Sequence, residues 1–240
     1  MVLITGGSRG IGQSCAEWFL AHGDRVAVTS RAGDRAFQLH EGHDTDRLLS
    51  LACDVKESAQ VEAAFAAVED TWGPVEVLVA NAGITRDTLV LRMDEDAWSD
   101  VLDTNLSGAF RVAKRALAKM IRLRRGRILF MSSIGAFIGS AGQANYAASK
   151  AGLVGMARAM AREVASRSIT VNVVAPGLVE TNMLAALGEE RRTEFAGQVP
   201  LGRVARPDEI AEAVGFLASS GAAYITGTVL PVDGGLGMGW

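Results

Sequence analysis

Tyr146 and Lys150 stand four positions apart in "NYAASKAG", residues 145–152, a spacing that puts both on one face of a helix. A phenol beside an ammonium is a proton donor with a cation at hand. A free phenol titrates near 10, so work near neutrality asks for a shift of roughly 3 units, or about 4 kcal/mol. A cation about 4 Å away at an effective dielectric of about 20 contributes on the order of 4 kcal/mol. The lysine is therefore about sufficient, before burial of the phenolate takes some of this back. The plain alternative is a surface pair on an ordinary helix. Composition argues against it: of the 24 basic residues only Lys56, Lys114, Lys119 and Lys150 are lysine. Arginine serves wherever any positive charge will do, and position 150 asks for a compact ammonium on a flexible stem.

A second constellation is "TGGSRGIG", residues 5–12. Gly6, Gly10 and Gly12 let the backbone turn sharply and approach a ligand, and the helix that follows offers unpaired N–H groups to a phosphate. A dinucleotide pyrophosphate would sit here, against Ser8, Arg9 and Ile11; a tight strand-to-helix connection is the simpler reading. A triphosphate loop is disfavoured because Ile11, not lysine, follows Gly10. The second apolar run ends in Thr29-Ser30-Arg31, without the acidic residue that would bind the ribose diol of NAD. Arg31 and Arg9 could grip a 2′-phosphate, which favours NADPH, although solvated arginines and the nearby Asp34 leave the other choice open. Asp54, followed by Val55, is placed to accept from the adenine amine.

These residues need a frame. The runs "MVLIT", "RVAVTS", "LLSLAC", "VEVLVAN", "GRILFMSS", "SITVNVVAP" and "GTVLPVD" alternate with longer helical patterns, as in an α/β, Rossmann-type doubly wound parallel sheet of seven strands. Most are continuously apolar, as strands covered on both faces are. Pro231 lacks a ladder donor and puts the last run at an edge. Helices are expected near residues 10–22, 57–72, 94–103, 106–124, 146–166 and 207–219. Residues 31–47 show no clean period, and 182–199 read as helical pieces outside the sheet.

With 240 residues and 49% hydrophobic content, the chain suits a single domain. A net charge of −3 gives no global field for nucleic acid, and no such partner is expected. Cys15 and Cys53 with His22, His40 and His43 form no metal pattern, so no metal is expected. The absence of a signal-like or membrane-spanning run predicts a soluble, cytoplasmic protein.

TGxxxGxG, "NAG" at 81–83, Asn105, Ser133 and Tyr146-x-x-x-Lys150, with thirteen residues from Ser133 to Tyr146, together resemble the short-chain dehydrogenase/reductase family over essentially the whole chain. Within it, "GQANYAASKAG", "NVVAPG" and "PVDGGLGMG" are most similar to bacterial 3-oxoacyl-[acyl-carrier-protein] reductases. Acetoacetyl-CoA and polyketide ketoreductases, other alcohol dehydrogenases and a non-catalytic redox sensor are the alternatives. The chain begins inside its first strand, which suggests a late start site or a trimmed sequence.

The resemblance implies ketone reduction with NADPH, Tyr146 protonating the developing alkoxide, Ser133 stabilising it, and Lys150 also meeting the nicotinamide ribose. Ser132 is the fallback, one residue too far from Tyr146. Asn105 would hold a water relaying protons to Lys150, or cap a helix. Asn81, Ala82 and Gly83 would wall the cofactor, with Gly83 letting it approach. Pro176, Gly177, Val179 and Thr181 would hold the nicotinamide amide, and Gln143, Met183 and Leu187 would meet substrate. Residues 182–199, with Leu184 and Phe195 also on the inner face, would form a lid or else an interface helix. Gly152, Gly155 and Ala148 would permit close packing. Similar reductases are tetramers paired through the helices at 106–124 and 146–166, so a homotetramer is expected. Arg124 and Arg167 match positions that meet the acidic carrier protein in similar reductases; finishing their helices electrostatically is the simpler role.

Overall fold

The computed structural model describes residues 1–33, 45–181, 194 and 196–238. Asp34, His40, His43, Met183, Leu184, Leu187 and Phe195, singled out above, lie outside the described residues. Seven strands, β1 (Val2–Thr5), β2 (Val26–Ser30), β3 (Leu48–Ala52), β4 (Val77–Ala80), β5 (Gly126–Met131), β6 (Ile169–Pro176) and β7 (Val229–Val232), form one sheet in the order β3-β2-β1-β4-β5-β6-β7. Every neighbouring pair is parallel. Valine, leucine and isoleucine dominate these strands, and β1 and β6 are buried at every position, which explains why their apolar runs do not alternate.

The helices are α1 (Gly10–Ala21), α2 (Ser58–Trp72), α3 (Glu95–Leu102), α4 (Gly108–Leu123), α5 (Gly135–Ile138), α6 (Ala144–Val164) and α7 (Pro207–Ala218). They divide between the faces by strand alternation. Leu3, Leu78, Ile128, Phe130, Val171 and Val173 share a core with the inner sides of α2, α4 and α6. Val2, Ile4, Val79, Leu129, Met131 and Val174 share the other with α1 and α7. Local chemistry sets the helix ends. Asp94 begins α3 by accepting the Ala97 N–H at 2.7 Å, worth about 1 kcal/mol; Pro207 opens α7, where its missing N–H costs nothing.

Of the six arginines between Arg111 and Arg127, three are matched by carboxylates. Arg115 meets Glu69 through both terminal nitrogens at 2.9 and 2.8 Å, and Glu62 through Nε at 2.6 Å. Arg111 pairs with Asp103 at 2.7 Å and Arg125 with Glu76 at 2.9 Å.

Two local features depart from the sequence reading. A π-helical turn, Asp103–Ser107, joins α3 to α4, and the four-residue α5 follows β5. The first depends on a buried side chain described below; the second is too short to carry a period. β7 pairs with β6 and closes the sheet as an edge, as Pro231 implied. Because β1 lies between β2 and β4, the chain reverses its direction of winding there, and the crevice beyond the carboxyl ends of the strands is where such sheets bind ligands.

Candidate active site

The glycine turn opens at that end. Gly6 and Gly10 have φ of +64° and +55°, which only glycine adopts without strain. Thr5 Oγ1 accepts the N–H groups of Asn81 and Ala82, each at 3.1 Å, while Asn81 Nδ2 donates to the carbonyls of Thr5 and Gly6 at 3.1 and 3.0 Å. Asn81 therefore fastens the end of β4 to the turn. A Cβ at Gly12 would lie 2.4 Å from the Gly6 carbonyl oxygen and 2.6 Å from Asn81 Nδ2, so the first turn of α1 can approach only as glycine. That turn carries no acidic residue. Its backbone N–H groups, a cradle that side chains would fill, and exposed Arg9 just ahead of α1 suit a pyrophosphate. Thr181 lies over the turn, its Cγ2 3.3 Å from where a Gly10 Cβ would be.

Exposed Arg31 follows β2, and half-buried Asp54 follows β3, both at this end of the sheet. Asp54 Oδ1 accepts the Lys56 N–H at 3.0 Å. Val55 is buried against Gly108, whose Cβ would come within 2.6 Å of Val55 Cγ2; that side chain fills the core, leaving its backbone to meet a ligand.

Ser133 follows β5 and Tyr146 stands on the first turn of α6, with the Ser133 hydroxyl near enough to the phenol to lower its proton affinity. Ser133 Oγ also accepts the Gly135 N–H at 3.1 Å. Ser132 Oγ instead donates to the Lys150 carbonyl at 2.9 Å, so the fallback serine ties β5 to α6. Lys150 is 4% exposed; its Nζ donates to the Met131 carbonyl at 2.8 Å and lies over the Tyr146 ring, 5.6 Å from its centroid. A Cβ at Gly83 would sit 3.2 Å from Asn105 Oδ1 and 3.3 Å from Lys150 Nζ. Gly83 thus makes room for these two groups.

Asn105 lies in the π-helical turn and is 1% exposed. It pairs twice with the backbone of Ile84, Oδ1 accepting its N–H at 2.8 Å and Nδ2 donating to its carbonyl at 3.0 Å, and donates again to Ser149 Oγ at 3.1 Å. Both amide hydrogens are spent, so any water held by this side chain must donate to Oδ1.

Burial pushes the Lys150 ammonium down to about 8. Burial also raises the Tyr146 phenol above its ordinary value, against the lowering effect of the Ser133 hydrogen bond and with the Asp87 charge adding to the rise. This corrects the expectation of a phenol drawn toward neutrality by its lysine. Among the protein's own groups, loss of water outweighs attraction, and the ammonium is directed to the Met131 carbonyl.

Gln143 precedes α6 and donates from Nε2 to Asp87 Oδ2 at 2.8 Å. The Pro176 carbonyl accepts the Ile134 N–H at 2.8 Å, and Gly177 donates to the Val232 carbonyl at 3.0 Å. Val179 bridges Ala205 in parallel through the Leu178 carbonyl and the Glu180 N–H. In such a bridge the amide and carbonyl of Val179 itself point the other way.

Arg124, in the left-handed conformation at φ 52°, donates from Nη2 to the Ser166 carbonyl at 3.0 Å, so it meets the turn that carries Arg167. Both, however, precede the strands β5 and β6. They lie at the opposite end of the sheet from Ser133 and Tyr146, roughly 20 Å away along a six-residue strand. A carrier protein docked on this patch would therefore stand a strand's length from the Tyr146 of the same chain. Two residues at the site went unnoticed in the sequence: Asn145 and Ser149, both 0% exposed and bonded to the Tyr146 backbone. The one available signal was an asparagine at a helix start.

A parallel sheet with this glycine turn and a Ser-Tyr-Lys group at its carboxyl end is the framework of a nicotinamide-dependent oxidoreductase. The chain belongs to the short-chain dehydrogenase/reductase family: the family model described as enoyl-(acyl carrier protein) reductase matches residues 6–237. It is similar to the 3-oxoacyl-[acyl-carrier-protein] reductase FabG of Vibrio cholerae, 49% identical over 238 residues that cover 99% of this chain and 97% of that protein. MabA of Mycobacterium tuberculosis, of the same description, is 48% identical over 239 residues, 99% of this chain and 93% of that protein. FabG of Escherichia coli is 46% identical over 240 residues, 99% and 97%. The family uses a nicotinamide dinucleotide.

Proposed function

We propose that the chain reduces the 3-oxo group of an acyl thioester borne on acyl carrier protein to the 3-hydroxyacyl thioester, with NADPH as cofactor, in fatty-acid or related biosynthesis. The observation that carries this reading is the meeting of Ser133, Tyr146, Lys150 and Asn105 beside the glycine turn, in a chain 46–49% identical over its length to relatives so named. The cofactor supplies the hydride taken up at the carbonyl carbon. Ser133 and Tyr146 hold the carbonyl oxygen between their hydroxyls, and Tyr146 passes its proton to that oxygen as negative charge develops. A raised phenol suits a donor that must keep its proton until an alkoxide, a stronger base, appears. Lys150, cationic below about pH 8, favours the tyrosinate left behind. Gly6 to Gly12, Asp54, Asn81 to Gly83 and Pro176 to Thr181 hold the cofactor, Arg9 and Arg31 its 2′-phosphate.

The same reading makes 1–240 one cytoplasmic reductase domain, assembled as a homotetramer; the lid expected near 182–199 falls largely outside the described residues. Among the described residues no helix is long and apolar enough to cross a membrane. Small residues Ala148, Gly155 and Ala159 lie exposed along α6, as a close helix pairing requires.

Consumption of NADPH with acetoacetyl-carrier protein, and with acetoacetyl-CoA more weakly, is the expected result. A 2-enoyl thioester should be inert, and its reduction in place of the ketone would overturn the reading. Tyr146→Phe should lower kcat by orders of magnitude with NADPH affinity nearly intact. Arg31→Ala and Arg9→Ala should weaken NADPH more than NADH by roughly 1.5–3 kcal/mol; equal losses would remove these residues from the 2′-phosphate.

A further inference from the structure

We propose that Asn145 is a positioning residue for Tyr146, acting with Ser149 to fix the helical turn on which the phenol stands. The inference rests on the reading that Tyr146 gives the proton.

Tyr146 occupies the first turn of α6, which begins at Ala144. The N–H groups of a first turn have no acceptor within the helix, and such turns fray. Gln143, at the capping position, makes no side-chain cap. The Tyr146 N–H is taken instead by Asn145 Oδ1 at 2.7 Å. The amide of the same side chain donates to the Arg86 carbonyl, on the connection after β4, and to the Ala97 carbonyl in α3, each at 3.1 Å. Every one of these bonds is made by a side chain with no exposed surface, so no water competes for them.

On the other side of the residue, the Tyr146 carbonyl accepts from Ser149 Oγ at 2.7 Å, and Ser149 Oγ accepts from Asn105 Nδ2 at 3.1 Å. The two backbone groups of Tyr146 are thus gripped by two buried side chains, and each of those is anchored to another part of the chain. The neighbouring backbone adds a further tie, from the Thr88 N–H to the Gly142 carbonyl at 2.8 Å. A reacting group must be kept within about 0.5 Å of its productive place. A helix interior gives that by itself; a first turn does not. Asn145 joins the phenol's backbone to the connection that carries Asn81, Ala82 and Gly83, so the proton donor is indexed to the cofactor wall.

The test uses Asn145→Ser, Asn145→Ala and Ser149→Ala, each alone and combined with Tyr146→Phe, with kcat, NADPH dissociation constant and thermal midpoint measured for all. Serine keeps an acceptor for the Tyr146 N–H, and alanine at 149 favours the helix, so these two carry the test if Asn145→Ala does not fold. The expected result is a loss in kcat on the order of 10- to 100-fold for Asn145→Ala, smaller for the other two, with the NADPH constant within about twofold. In the Tyr146→Phe background the same substitutions should cost nothing more, because the group they place is gone. Wild-type turnover in Asn145→Ser and Ser149→Ala, or an equal loss with and without the phenol, overturns the inference. Wild-type turnover in Tyr146→Phe alone would instead overturn the reading beneath it.

Discussion

A lysine kept from water is an unstable arrangement that Lys150 sustains for the sake of its position. Its folded value of about 8 lies below the ordinary 10.5, so between these pH values the unfolded chain holds a proton that the folded chain has released. Stability therefore rises with pH across that window, by an amount on the order of 3 kcal/mol in total. Turnover runs the other way: kcat/KM for ketone reduction should fall as pH rises through about 8, where the cation is lost. Thermal melts of wild type and Lys150→Met from pH 7 to 11 check the first point, with the wild type gaining on the variant as pH rises; a rate profile checks the second. The spacing of Tyr146 and Lys150 was legible because a helix converts a four-residue interval into contact. Asn145 was not, since its importance lies in carbonyls 59 and 48 residues away in the chain, and no periodicity encodes those.

At the scale of elements, two glycines of α6 have different reasons. A Cβ at Gly152 would approach Leu106 Cδ2 to 2.8 Å, whereas one at Gly155 would meet nothing within 4 Å. Gly152→Val should destabilise the fold by about 1–3 kcal/mol in a denaturant titration. Gly155→Ala should add up to about 1 kcal/mol of helix preference to an isolated chain, yet weaken assembly if α6 pairs closely with its copy. All seven strands and the six longer helices could be read from apolar runs and helical periods. The π-helical turn could not, because it forms where Asn105 bonds to Ile84 rather than where any local preference asks for it. Ser133 was chosen over Ser132 by spacing alone; the structure supplies the reason, since one hydroxyl faces Tyr146 and the other is consumed by the Lys150 carbonyl.

For the whole molecule, the polarity of the sheet decides what Arg124 and Arg167 can do. Lying at the amino ends of β5 and β6, they stand a strand's length from their own chain's Tyr146, so a carrier docked on them is expected to serve a reaction centre on another copy of the chain. Arg124→Glu and Arg167→Glu should raise KM for carrier-borne substrate, more at low salt, while sparing acetoacetyl-CoA. A tetrameric mass by light scattering at micromolar concentration is expected of the wild type, and a variant that loses it should lose the arginine effect as well.

The β7 margin of the sheet has a consequence of its own. Thr228 and Val232 turn their carbonyls to β6, accepting from Val173 and Gly177, so the alternate residues of β7, Val229 and Pro231, point their backbone outward. At the centre of that margin the proline ring offers no hydrogen to a visiting strand and stands in its path. In a crowded or heated solution, where sheets join margin to margin and grow into insoluble ribbons, a single imino acid leaves the β7 margin without a place to begin.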